Sequence, residues 1–407
     1  MPSNEQWAKR LRARIPWGSS TCAKSAQWMP DEPAVIVRGK GCRVWDADGR
    51  EFIDFRNGLS AVSLGYQYPA VNKAIIHQLE SGIVFGHPHP IEAEVAELLC
   101  QNIPCAERVR FLKTGGEALA ACIKLARYHT GRDHIVQIGY NGWLNSLASG
   151  GRTLPGMTTE QVPSGVPAAL SALHHACQWN DREHLESLFR EQGDKIAALV
   201  IAADYERMEE GSSFYPFVRE LTSRHGTVLV YDEVVTGFHV ALAGVQEYFR
   251  TTPDLAVFAK GMANGMPLST YCGKAEIMDK LSTAIVTSTY GGEALSLAAA
   301  KVTIATYKEK NVVAHLWRVG KQLCSGVNSL FEKYSLPITI KGFPTCPVLV
   351  LETNAPKDLR ERLYRAAYRH GVSLFGTPFA YVSFSHQESD ICEALERLEK
   401  AIKTLKE

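Results

Sequence analysis

The sequence predicts an α/β fold in which a large domain carries a mainly parallel sheet between helices and a small α+β domain is assembled from both chain ends. Between about Pro69 and Leu295, short apolar runs alternate with stretches of helical periodicity, which is the pattern of βαβ units. Runs such as "KIAALVIAAD" and "TVLVYDEV" are apolar throughout, as strands buried on both faces must be. The two ends read differently from this middle. The predicted division is therefore residues 1–65 as an N-terminal part of the small domain, 66–299 as the large domain, and 300–407 as the rest of the small one.

Element by element, "AVIVRGKGCRVWDADGREFIDF" alternates apolar and polar residues around turns at Gly39–Gly41 and Asp46–Gly49, a strand meander. "VNKAIIHQLESG" is a helix closed by glycine, "RVRFLK" a strand, "EALAACIKLARYHTG" a helix ended by Gly131, and "HIVQIG" a strand. "FVRELTSRHG" is a further helix, closed by Gly226. Near the C-terminus, Ile391, Leu395, Leu398, Ile402 and Leu405 recur at helical spacing, so that helix packs one face inward.

Composition removes several function classes. Lys and Arg number 44 against 43 Asp and Glu, so the chain lacks the basic excess that tracks a phosphate backbone, and nucleic acid is not an expected partner. No run of apolar residues is long enough for a membrane span, and "MPSNEQWAKRLRARIPWGSS" has no signal-type apolar core; a cytoplasmic protein is expected. Ten cysteines lie scattered without a CxxC pair and read as reduced, mostly core residues. His87–Pro88–His89 and His174–His175 lack partners of zinc-site type, so they read as loop or surface histidines and no metal is expected.

Four features fall at strand ends or strand–helix junctions, where α/β proteins build ligand sites. In "KTGGEALAA", Thr114, Gly115 and Gly116 precede a helix whose exposed amides suit a phosphate, although Gly-Gly before a helix is also an ordinary turn. In "GYNGW", Tyr140 follows a strand and either stacks on a flat ligand or caps the core. Asp232 and Glu233 end a strand too apolar to hold charge without a partner, and a structural salt bridge is the competing account. Lys260 follows the apolar run Leu255–Ala259, one βαβ crossover beyond Asp232, and either pairs with that aspartate or stands as a desolvated nucleophile and base. Amine, carboxylate, stacking ring and phosphate cradle together are the contacts that pyridoxal 5′-phosphate (PLP) demands.

The ordered motifs "TGGEA", "GYNG", "YDEVVTGF", "FAKGMANG" and "TSTYGG" resemble the class III PLP-dependent aminotransferases of the aspartate aminotransferase fold, fold type I, whose large domain has a seven-stranded sheet. "IPWGSSTCAK" and "YVSFSHQESDI" are similar to the glutamate-1-semialdehyde 2,1-aminomutase branch and its sugar-modifying relatives. The resemblance implies that Lys260 forms the Schiff base with PLP, Asp232 pairs with the pyridine nitrogen, Tyr140 stacks on the ring, and Thr114, Gly115 and Gly116 hold the phosphate. It implies that Thr289 reaches the phosphate of a second subunit, hence a homodimer with shared active sites, and that the substrates are an amino donor and a carbonyl acceptor.

Departures from the family pattern touch the substrate side. "LVIAADY" places Ala202–Ala203 where the family usually has "EP"; His239 replaces an arginine, Asn141 a histidine, and Glu293 follows Gly291–Gly292 where "GGNP" is usual. Lys24 stands at the place of the aminomutase's carboxylate-binding arginine and lacks its bidentate fork. "VFGHPHPIE" matches a segment that lines the substrate entrance in relatives. The expected acceptor is therefore an aldehyde or ketone on a polar, sugar-like skeleton, with Lys24 and Glu293 as candidate substrate residues. An aminomutase, a same-fold epimerase or racemase, and a catalytically inactive binding protein are the alternatives.

Overall fold

The structure is a computed structural model and describes residues 2–144, 165–374, 376 and 379–405. Its strands in chain order are β1 (Ile36–Lys40), β2 (Arg43–Asp46), β3 (Glu51–Asp54), β4 (Arg108–Leu112), β5 (His134–Ile138), β6 (His174–Cys177) and β7 (Ile196–Ala202). These are followed by β8 (Val228–Asp232), β9 (Leu255–Phe258), β10 (Ser269–Gly273), β11 (Ile338–Lys341), β12 (Val348–Leu351) and β13 (Val372–Ser373). Two compact units result, one from Ala70–Val313 and the other from Met1–Pro69 with Ala314–Glu407.

The larger unit holds a seven-stranded sheet in the order β4-β10-β9-β8-β7-β5-β6. Strands β5 to β9 pair in parallel, whereas β10 runs antiparallel to both β4 and β9. Every residue of β7, β8 and β9 is buried, which is why these segments carry no polar alternation. Helix Gly115–Thr130 packs on this sheet through Leu119, Cys122, Ile123 and Ala126, at spacings of three and four residues. It ends where Gly131 adopts the left-handed conformation, φ +68°.

Register fixes the geometry that matters for chemistry. Ala202 at the end of β7 lies opposite Asp232 on β8, and Asp232 lies opposite Val257 on β9. The chain then leaves β9 and turns at Lys260, whose φ of +47° is a left-handed conformation that side-chain-bearing residues adopt at a cost.

The smaller unit contains the antiparallel meander β1-β2-β3, extended by β13 in parallel with β3, and the antiparallel pair β11–β12. Gly41 and Gly49 turn the meander at positive φ. Arg43 on β2 pairs with Glu51 on the neighbouring β3 (2.7 Å) and ties the meander to the C-terminal helix Glu388–Lys403 through Asp390 (2.9 Å) and Glu393 (2.6 Å). That helix buries Ile391, Leu398 and Ile402. The stretch Tyr381–Phe384 forms no ladder: the Tyr381, Val382 and Phe384 amides donate to the carbonyls of Phe55, Thr345 and Ser63, three different segments, and the Ser383 amide donates to His386 Nδ1.

The histidine pair differs from a surface reading. His174 and His175 lie on β6 and are half-buried, with His175 Nε2 2.8 Å from His134 Nδ1. His89 caps helix Pro90–Asn102, its Nδ1 accepting the Ile91 amide at 3.2 Å. Cys42, Cys105, Cys122, Cys177, Cys272 and Cys346 are buried thiols, while Cys22, Cys100 and Cys392 are exposed. No helix among the described residues is long and apolar enough to cross a membrane.

Glu233, fully buried beside Asp232, has a structural task. It accepts hydrogen bonds from the Thr236 hydroxyl, the Val245 amide (2.9 Å) and the Gln246 amide (3.1 Å), which folds the 236–246 loop back on the strand end. Gly244, at φ +70°, lies so close that any Cβ there would run into the Glu233 carboxylate. Gly244→Ala is expected to lower stability by about 3 kcal/mol, from backbone strain and the displaced carboxylate, as read by urea denaturation.

Candidate active site

The first component is a helix N-terminus. Thr114 caps helix Gly115–Thr130: its Oγ1 accepts the Glu117 amide at 3.4 Å, while the Glu117 carboxylate accepts the Thr114 amide at 2.8 Å. Ser269 Oγ on β10 donates to the Thr114 carbonyl at 2.8 Å and pins the cap to the sheet. The amides of Gly115 and Gly116, the first two helical residues, donate to no group among the described residues. They remain available to an anion, at the positive end of a 16-residue helix. A Cβ on Gly115 would come within 2.6 Å of Val234, so glycine there lets the helix start close to the end of β8.

The second component is the loop after β5. Gly139 and Gly142 adopt φ of +78° and +91°, and a Cβ on Gly139 would meet the Ala202 carbonyl at 3.1 Å. Turning at both glycines sends successive side chains to opposite sides. Tyr140 is 59% exposed, which removes the reading of it as a core cap, and Asn141 is 1% exposed. Asn141 Nδ2 donates to Asp232 Oδ2 at 3.2 Å.

The third component is the buried charge. Asp232 Oδ1 accepts the Val234 amide at 3.0 Å, and burial pushes its carboxyl up to about 6 against the opposing pull of the Val234 amide, Asn141 and Lys260. Lys260 is pushed down to about 8 by burial, with Asp232 drawing it back up. The two groups feel each other's charge, but among the described residues neither takes part in an ion pair within 4.0 Å. The buried salt-bridge reading is thereby removed. His239, also buried, is pushed down to about 4 by desolvation and is neutral; Gly261 packs against its ring.

Thr114, Gly115, Gly116, Asn141, Asp232 and Lys260 therefore belong to one region of the larger unit, at the carboxyl ends of β4, β5, β8 and β9. Thr289 is elsewhere, exposed on the 285–292 loop, where with Val84, Phe85, His87, His89, Glu92 and Ser288 it lines a cavity of about 230 Å³. Glu293 also borders that cavity, but its carboxylate accepts from Lys113 Nζ (2.8 Å) and from the Leu295 and Ser296 amides, so its charge is engaged within the fold. Lys24 is exposed on the short turn Cys22–Lys24 of the smaller unit. The hydrogen bond of Asn141 to Asp232 was not legible as a role from the sequence. Its signal lay in the flanking glycines of "GYNG", which force one side chain outward and the next inward.

Fold and site define a class. A class III aminotransferase family model matches residues 24–402, and the chain belongs to that family, the fold type I PLP-dependent enzymes. Among curated relatives, it is 30% identical to the glutamate-1-semialdehyde 2,1-aminomutase of Aquifex aeolicus, over 99% of this chain and 100% of that protein. It is 33% identical to the enzyme of the same name from Persephonella marina, over 92% of each. Among solved structures, an omega-transaminase from Sphaerobacter thermophilus superposes with a TM-score of 0.89 at 24% identity, covering 99% of this chain and 98% of that one.

The residues fit PLP by this structure's own features. Unbonded amides lie at a helix N-terminus, a carboxylate with lone pairs to spare faces the same region as a desolvated amine, and the buried Asn141 Oδ1 lacks a partner among the described residues. Lys260→Ala is expected to abolish covalent attachment of PLP, read as loss of absorbance near ~410–430 nm and of the borohydride-fixed mass adduct. The pH dependence follows from both signs. Asp232 is ionised above about 6 and Lys260 is neutral above about 8, so PLP attachment is expected to rise with pH through both values in a spectrophotometric titration.

Proposed function

We propose that the chain moves an amino group from an amine donor to an aldehyde or ketone acceptor on a polar, sugar-like skeleton. The observation that carries the aminotransferase reading is the arrangement of the buried Asp232 and the half-buried, desolvated Lys260 in one region without pairing to each other. When bound, PLP supplies an electron sink that allows a substrate Cα–H bond to release its proton. Asp232 would hold the pyridine nitrogen charged, and Tyr140 would cover the ring. Lys260 Nζ, lowered toward neutrality, would be the base that takes the proton from the substrate Cα and holds it for return. The Gly115 and Gly116 amides bind the phosphate.

The polar acceptor is supported by the cavity around Thr289, which among the described residues is lined by the polar side chains of His87, His89, Glu92 and Ser288. A homodimer is supported by exposed large apolar side chains, Ile76 (60%), Leu79 (54%), Phe85 (46%) and Tyr290 (60%), near the segments that line this cavity. In that dimer Thr289 acts on the neighbouring subunit's phosphate.

The full-length likeness to aminomutases favours a second reading, intramolecular exchange of amino and carbonyl groups within one substrate. A panel of amines offered to the PLP form, followed spectrally, distinguishes them. Turnover that requires a separate donor is expected; turnover of a single amino-aldehyde without donor would establish the mutase. Leu79→Asp is expected to shift the protein toward monomer in analytical ultracentrifugation and to weaken PLP retention on dialysis.

A further inference from the structure

We propose that Asn141 is a positioning residue that keeps Asp232 ionised and aimed for the pyridine nitrogen, so that it sets the lowest pH at which the protein grips its cofactor. The inference rests on the assignment of Asp232 to PLP made above and concerns a residue that touches the aspartate.

The geometry leaves little choice of partner. Asp232 is 8% exposed, and among the described residues each of its oxygens has one hydrogen bond, Oδ1 from the Val234 amide and Oδ2 from Asn141 Nδ2. The Val234 bond comes from the backbone and is indifferent to sequence; Asn141 is the side chain that favours the charged carboxylate. Because a carboxylate is purely an acceptor, the Asn141 amide must turn its NH2 toward Asp232, which directs Oδ1 away. Oδ1 is buried and without a partner among the described residues, so the side chain retains an acceptor within the site.

The other titratable groups around Asp232 cannot substitute for this donor. Lys260, beyond β9, attracts the carboxylate electrostatically but does not bond to it. Glu233, its chain neighbour, is pushed up to about 7 by burial and repels it when ionised. Cys122, on helix Gly115–Thr130, is held protonated by burial. His239 is held neutral by burial, with the Lys260 charge opposing its protonation further. An asparagine amide neither gains nor loses a proton across the working range, so its support for Asp232 does not vary with pH.

The test uses pyridoxamine 5′-phosphate, which binds without a covalent bond to Lys260, and measures its dissociation constant by tryptophan fluorescence from pH 5 to 9 for the full chain and for Asn141→Ala and Asn141→Asp. A hydrogen bond to a charged group is worth roughly ten- to a hundredfold in an equilibrium. Asn141→Ala is therefore expected to move the acid limb of binding up by about one to two pH units. The isosteric Asn141→Asp places a second carboxylate on Asp232 and is expected to move it at least as far. Differences from the unaltered protein cancel the ligand's own ionisation. A uniform loss of affinity with the limb unmoved, unchanged binding, or loss of the apo fold in both variants would overturn the proposal. Failure of the unaltered protein to bind the ligand at any pH would instead overturn the cofactor assignment beneath it.

Discussion

The constraint on which the site depends is the desolvation of two opposite charges, one buried and one half-buried, that do not neutralise each other directly. A carboxylate and an ammonium in a protein interior each lose hydration, and a direct ion pair is the usual compensation. Here Asp232 and Lys260 remain unpaired, and their ionisations shift toward the neutral forms, to about 6 and about 8. Both shifts cost stability near neutral pH. The aspartate's cost is fully present above about 6 and the lysine's below about 8, so the fold holds an electrostatic debit at the proposed site.

Holding that debit requires rigid surroundings. Parallel pairing of β7, β8 and β9 fixes where Asp232 ends and where the chain turns at Lys260. Glu233 anchors the 236–246 loop to the strand end. The cap at Thr114, pinned from β10, places the helix amides in the same region. Each support comes from a different βα connection, which is why the site belongs to the sheet's carboxyl edge and not to any one motif.

On the substrate side the structure redistributes roles. Glu293, attractive as a carboxylate next to a glycine pair, is engaged as the cap of helix Ala294–Glu309 and as the partner of Lys113. Asn141, which the motif comparison marked only as a departure, holds the aspartate. A substitution noticed in a motif thus reveals a chemical difference without its location, and three-dimensional contacts decide which differences face the ligand.

Much of the architecture was legible in the chain itself. Apolar runs of strand length and glycine-terminated helices determined the α/β class, because burial on two faces removes polar residues from a strand and a left-handed helix end selects glycine. The glycines at 115–116 and the charges at 232 and 260 were legible for the same reason: each breaks a local rule that a purely structural segment would obey. Tertiary structure alone decided that Asp232 and Lys260 stay apart, that Tyr140 faces outward while Asn141 faces in, and that Glu293 is engaged within the fold. Those facts depend on distances between residues far apart in sequence, which strand register and loop dihedrals set and residue patterns do not encode.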